Sequence, residues 1–137
     1  MKFTIRKAEY YKVMVSNKPG AAAKVFVALM EARVNLLGFS GFPRAGRAQL
    51  NFIPGDPAAF KKALRKAGVS PGRGKFAFLI QGPDRPGAAW DVVAKLSEAK
   101  INVVASHAAV AGSGRYGAIL WVKPGDVAKT AKLLGAP

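Results

Sequence analysis

The chain has 137 residues, half of them apolar, with no cysteine and with 22 Lys and Arg against seven Asp and Glu, a formal charge of +15. This length suits one ordinary domain or two small modules sharing a buried surface and excludes a large catalytic fold; the lack of cysteine excludes a disulfide framework and a thiolate metal site. Lys24, Glu31 and Arg33 interrupt the richest apolar stretch, 25–39, so no run approaches the roughly 20 residues of a membrane-spanning helix, and no membrane partner is expected.

The opening, MKFTIRKAEYY, has no apolar signal region and no small-residue cleavage site, and the expected compartment is the cytoplasm. Phe3-Thr4-Ile5 is β-prone but surplus to the module that follows, and is expected to fill a sheet edge of a later module or of a partner chain. A β-rich run at 11–15 ends at Asn17-Lys18-Pro19-Gly20. The next segment places Ala22, Val25, Phe26, Leu29 and Met30 at helical spacing. Asn17 can cap that helix, and Pro19 suits a first turn because it has no amide hydrogen to leave unpaired. Residues 34–37 and 49–53, joined through a glycine-containing turn, predict a β-hairpin. Asp56-Pro57 then starts a second helix with Phe60, Ala63, Leu64 and Ala67 as its apolar stripe. Only Val69 precedes Ser70-Pro71-Gly72-Arg73-Gly74, so a closing strand is poorly specified.

The second half repeats the first. Residues 17–36 align without gaps on 84–103, so that Pro19, Gly20, Ala21, Ala22, Val25, Leu29 and Asn35 recur as Pro86, Gly87, Ala88, Ala89, Val92, Leu96 and Asn102. Pro54-Gly55-Asp56 recurs as Pro124-Gly125-Asp126, and Gly68 as Gly135. The second copy reads as a strand at 76–80, a helix with Ala89, Val92, Val93 and Leu96, a hairpin from 101–104 and 118–122, and a helix from Asp126-Val127 with Ala131 and Leu134. The predicted modules are 1–70, with the extra N-terminal strand, and 71–137.

Asn17-Lys18-Pro19-Gly20 and Asp84-Arg85-Pro86-Gly87, each followed downstream by Val34-Asn35-Leu36 or Ile101-Asn102-Val103, resemble the first loop and second-strand entry of ACT domains over nearly the whole chain. The resemblance implies an α+β fold of two tandem ferredoxin-like βαββαβ modules, with antiparallel sheets and helices on one face. It also implies pairing of modules through sheet edges or helices, and amino-acid effectors bound where modules meet. Helix-start amides point outward and favour negative charge, and glycine lets a ligand approach. On the family pattern the amides of Gly20-Ala21 and Gly87-Ala88 take the ligand carboxylate, with Lys18 and Arg85 beside them, while Asn17, Asp84, Asn35 and Asn102 take its amino group or polar side chain. The charge of Asp84 suits an ammonium group, so the two copies need not bind alike. The same residues also serve plain structural roles: Asn17 and Asp84 as helix caps, Asn35 and Asn102 as helix-exit residues.

Gly112-Ser113-Gly114-Arg115-Tyr116-Gly117 spells a nucleotide fingerprint, but a strand follows it where a helix is required, so it reads as a hairpin turn three residues longer than its counterpart. His107 stands alone, which leaves no metal site and no nucleophile-base pair to assemble. Glu31 and Glu98 read as charge partners of nearby cations, Trp121 as core, and Trp90 as a pocket or interface residue. No cofactor and no catalytic constellation are expected. The leading function is a regulatory or sensor protein that binds an amino acid and acts in trans on a protein partner, as a homodimer or higher homo-oligomer. The alternative is a basic nucleic-acid-binding protein using the stretch 61–75 and the alternating Phe76 and Phe78.

Overall fold

The structure, a computed structural model, describes residues 3–136. Its elements run β1 (Thr4–Ser16), α1 (Ala21–Glu31), β2 (Leu36–Arg44), β3 (Arg47–Pro54), α2 (Pro57–Lys66), β4 (Lys75–Pro83), α3 (Trp90–Glu98), β5 (Val103–Gly112), β6 (Arg115–Val122) and α4 (Val127–Leu134). The architecture is α+β, with six strands and four α-helices among the described residues. No helix is long and apolar enough to cross a membrane.

The chain divides into two compact units, an N-terminal unit Glu9–Lys75 and a C-terminal unit made of Met1–Ala8 with Phe76–Pro137. The repeat pattern puts the boundary at 70/71 and counts the extra strand with the first module, while expecting Phe3-Thr4-Ile5 to fill an edge of the second copy or of a partner chain; the structure puts the boundary at 75/76 and Thr4–Ala8 beside β4 of the second copy. The reason lies in what fills each sheet edge. In the N-terminal unit, residues 70–74 run beside the later half of β1, where the Gly72 N–H donates to the Lys12 carbonyl at 3.3 Å. A Cβ on Gly72 would stand 2.9 Å from that oxygen, so only glycine lets the segment lie there. In the C-terminal unit the place beside β4 is taken by the first part of β1, Thr4–Ala8, in the order β1-β4-β6-β5, with Phe3 and Ile5 packed on that unit's core.

In the N-terminal unit β3 pairs antiparallel with both β1 and β2, opposing Phe52 to Tyr11 and to Phe39. Alternate residues Tyr11, Val13, Leu50 and Phe52 face Val25 and Leu29 of α1 and Phe60, Ala63 and Leu64 of α2. Tyr11, Phe52 and Phe60 stack with centroids 5.2 and 5.6 Å apart. In the C-terminal unit Phe78, Ile80, Tyr116, Leu120 and Val122 meet Val92 and Leu96 of α3 and Ala131 and Leu134 of α4. Position 60 of the aromatic core corresponds to Thr130 in the second copy, where burial is also complete. Met30, expected on the buried stripe, is 69% exposed, because the stripe narrows to Val25 and Leu29 toward the end of α1.

Local chemistry explains the turns. Both hairpins close with two residues of positive φ, Ala45-Gly46 and Ser113-Gly114, the pattern of a type I′ turn. The extra residues of the second copy therefore lie within its strands and not in the turn; one sits at the register shift between Val110 and Gly112. All four helices end on a left-handed residue, Arg33, Gly68, Lys100 and Gly135. The next N–H reaches back five residues in each case, as in Val34 to the Leu29 carbonyl at 2.9 Å and Ile101 to Leu96 at 2.9 Å. The helix-exit role expected of Asn35 and Asn102 thus falls two residues earlier. Asp56 caps α2 through Ala59 N–H at 3.2 Å. Asn17 and Asp84 cap nothing: α1 starts from Gly20 in a left-handed conformation, and α3 starts two residues later than its counterpart.

Candidate ligand site

β4 ends at Pro83, and the chain turns through Asp84-Arg85-Pro86-Gly87-Ala88-Ala89 before α3 begins. The Asp84 N–H donates to the Gly114 carbonyl at 2.9 Å, which ties this loop to the β5–β6 turn. Gly87 has φ 76°, with nothing within 4 Å of where a Cβ would stand; its backbone conformation is what calls for glycine. The loop closes against β5 to leave an open cavity of about 330 Å³. Its polar lining is Asp84 and Arg85; Ala88, Ala108 and Ala109 add small apolar lining, and Trp90, 63% exposed, and Val110, 62% exposed, stand at the rim.

The charged groups are unequally engaged. Arg85 donates to the Asp91 carboxylate at 2.5 Å and to the Pro86 carbonyl at 3.3 Å, and so holds the loop to the first turn of α3. Both members of that ion pair are about half exposed, which makes it worth at most about 1 kcal/mol. The Asp84 carboxylate has no hydrogen-bond or ion-pair partner among the described residues. Tyr116 also lines the cavity; burial, then the Asp91 charge, push its phenol upward against the opposing Arg85, so it stays protonated at neutral pH.

The structure therefore brings together Asp84, Arg85, Gly87 and Ala88 of the sequence-predicted set. Asn102, exposed, does not line this cavity. In the N-terminal unit Asn17, Lys18, Gly20 and Ala21 form the equivalent exposed turn, with Gly20 at φ 88°. Asn35 lines a separate cavity of about 500 Å³ with Phe26, Met30 and Arg33 at the far end of α1. Eleven helical residues span about 16 Å, so within one unit Asn17 and Asn35 do not converge. The Ala21 and Ala88 N–H groups are already used within the turns, donating at 3.1 Å to the Lys18 and Arg85 carbonyls. Gly20 and Gly87 N–H make no hydrogen bond among the described residues. Glu31 and Glu98 form no ion pair either, since only Arg85–Asp91 does among the described residues. Phe78 is buried, which removes it as a stacking platform for RNA bases. Sequence reasoning missed Ala108, Ala109, Val110 and Tyr116; their signal was a small-residue, uncharged run in an edge strand, beside a tyrosine at the hairpin.

No protein-family model matches the chain, and no curated protein does. Among solved structures it is similar to protein BT0572 from Bacteroides thetaiotaomicron, with a TM-score of 0.83 and 21% identity over 96% of this chain and 88% of that one. It is similar to the regulatory subunit of aspartate kinase from Thermus thermophilus in its ligand-free form, with a TM-score of 0.64 and 14% identity over 98% and 96% of the two chains. The regulatory subunit of aspartate kinase from Thermus flavus gives 0.56 and 17% over 98% and 94%. At these identities the likeness establishes the fold, an ACT-like α+β arrangement shared with regulatory subunits.

Proposed function

We propose that this protein is a regulatory sensor built of two tandem ferredoxin-like, ACT-like modules, which binds an amino acid at the Asp84 loop and acts in trans on a protein partner. The observation that carries the reading is the cavity of about 330 Å³ between the loop and β5, lined by Asp84, whose carboxylate has no partner among the described residues, by Gly87 and by small apolar residues. An amino acid offers the matching groups. Its ammonium pairs with Asp84, its carboxylate meets Gly87 N–H, and its side chain lies along β5 at Ala108, beside Trp90. Support from the fold comes from regulatory subunits, so we read the chain as non-catalytic.

β5 carries one face of the cavity and is also an edge strand. It bears no Lys, Arg, Asp, Glu or Pro, and Val104 is 59% exposed. Such an edge takes another strand readily. We place a second copy of the chain there, forming a homodimer or higher homo-oligomer that walls the open side of the site. Because Trp90 stands at the rim, its emission reports occupancy. Titration of an amino-acid panel should change emission for one member or one chemical group of members, with Asp84→Ala removing the response. Unchanged emission and no heat of binding across the panel would overturn the assignment.

A further inference from the structure

Basic residues are concentrated on one helix of the N-terminal unit, α2. Residues 9–75 hold twelve of the 22 basic and three of the seven acidic residues. On α2 the buried face is Phe60, Ala63 and Leu64, and the outer face carries Lys61, Lys62, Arg65 and Lys66 with no acidic residue. Lys61–Arg65 and Lys62–Lys66 each stand four residues apart, so like charges are stacked in two rows, an arrangement that costs helix stability when nothing negative lies between. Lys61 reaches back over the Tyr11 ring at 5.8 Å; the side chains of Lys62, Arg65 and Lys66 have no ion-pair or hydrogen-bond partner among the described residues.

Topology adds to the patch. β1 and β3 are antiparallel, α1 follows β1 and α2 follows β3, so the contacting helices run in opposite directions. The last turn of α2 therefore lies at the same end of the helix layer as the start of α1, where Lys18 and Lys24 are exposed. The carboxylates Glu31 and Asp56 lie at the other end. Glu9, the unit's third acidic residue, accepts from the Tyr11 hydroxyl, so Lys18, Lys24, Lys62, Arg65 and Lys66 lie toward this end with no carboxylate paired to them among the described residues. Cations favour a helix C-terminus, which accounts for Arg65 and Lys66 but not for Lys62, Lys18 or Lys24.

We infer that this end of the N-terminal unit's helix layer is a docking surface for the phosphate backbone of nucleic acid, on the other unit from the amino-acid site. The choice of polyanion follows from what the patch lacks. No large apolar side chain is exposed on α2, whereas a helix that lies on a membrane needs Trp, Phe or Leu beside its cations. With no aromatic on this surface, contact is with phosphates and not bases, so binding is insensitive to sequence.

The test is fluorescence anisotropy of a labelled oligouridylate of about 15 nucleotides against the full chain, between about 50 and 200 mM salt, where five phosphate contacts give a slope of log K on log salt of about −3.5. Reversing Lys62 and Arg65 to Glu should weaken binding on the order of 30-fold at about 100 mM salt and flatten the slope by about 1.5. Reversing Lys95 and Lys132, exposed on α3 and α4, makes the same change in net charge and should cost less than about threefold. Circular dichroism verifies folding, with the Lys62→Ala, Arg65→Ala pair as the milder replacement. Equal losses for the two pairs would mean diffuse charge and overturn the assignment. So would binding to phosphatidylserine vesicles without binding to the oligonucleotide.

Discussion

Thr130 sits in the middle of α4 with 0% of its surface exposed, and its hydroxyl has no hydrogen-bond partner among the described residues. A buried polar group left unpaired costs about 1–3 kcal/mol, and valine replaces that hydroxyl with a methyl group of nearly the same shape on an equally β-branched side chain. Thr130→Val should therefore stabilise the protein by about 1–2 kcal/mol, which raises Tm by roughly 3–8 °C for a chain of this size. Urea unfolding is the direct assay: the midpoint rises while the slope m stays constant, because the surface exposed on unfolding is unchanged. Thr130→Ser supplies the opposite limb, keeping the hydroxyl and opening a methyl-sized void that costs about 1 kcal/mol. The order Val, Thr, Ser in falling stability is required. A valine variant no more stable than the parent would show that the hydroxyl is satisfied, and would refute the reasoning.

Other predictions follow from backbone, packing and charge. Arg33 and Lys100 occupy left-handed positions at φ 56° and 57° that glycine holds after the other two helices, so Arg33→Gly and Lys100→Gly should each add about 0.5–1 kcal/mol in denaturant melts. Gly82→Ala should cost at least about 2 kcal/mol, since its Cβ would stand 2.7 Å from a Phe3 ring carbon and 2.9 Å from Tyr116 in the cavity wall. Burial, followed by a hydrogen bond donated to Glu9 and that carboxylate's charge, pushes the Tyr11 phenol up to about 12. The folded state then holds this proton more tightly than the unfolded state. Its contribution of about 2–3 kcal/mol is present in full below pH 10 and lost as the pH climbs toward 12, which a phenolate absorbance titration run beside alkaline melts will register. Val104→Lys places a charge on the β5 edge and should yield monomers by sedimentation with melting nearly unchanged.

Much of this arrangement is legible in the sequence, for physical reasons that differ by element. The helices stand out because Val25 and Leu29, and their partners Val92 and Leu96, keep one face apolar at matching positions, and duplication makes each half a check on the other. The turn glycines Gly20 and Gly87 stand out because positive φ selects them. Edge partners are harder to read. That Phe3-Thr4-Ile5 is surplus to the first module points to an edge elsewhere, but that 70–74 lies beside β1 depends on which edges remain open after folding, a non-local matter that no window of sequence contains. The cavity is half legible: Asp84, Arg85 and Gly87 belong to a recognisable loop, whereas Ala108, Ala109 and Tyr116 reach it only through the pairing of β5 with β6. The caps expected of Asn17 and Asp84 fail because a left-handed Gly20 and a delayed start of α3 carry those residues out of reach of the helix amides.

The central claim is that Asp84 and its loop hold an amino acid, and thermal unfolding of the parent and of Asp84→Ala against an amino-acid panel tests it most directly. A ligand at 100 times its dissociation constant should add about 2.7 kcal/mol to the parent and almost nothing to the variant. A panel in which no amino acid shifts the parent, or in which both proteins shift equally, would contradict the account.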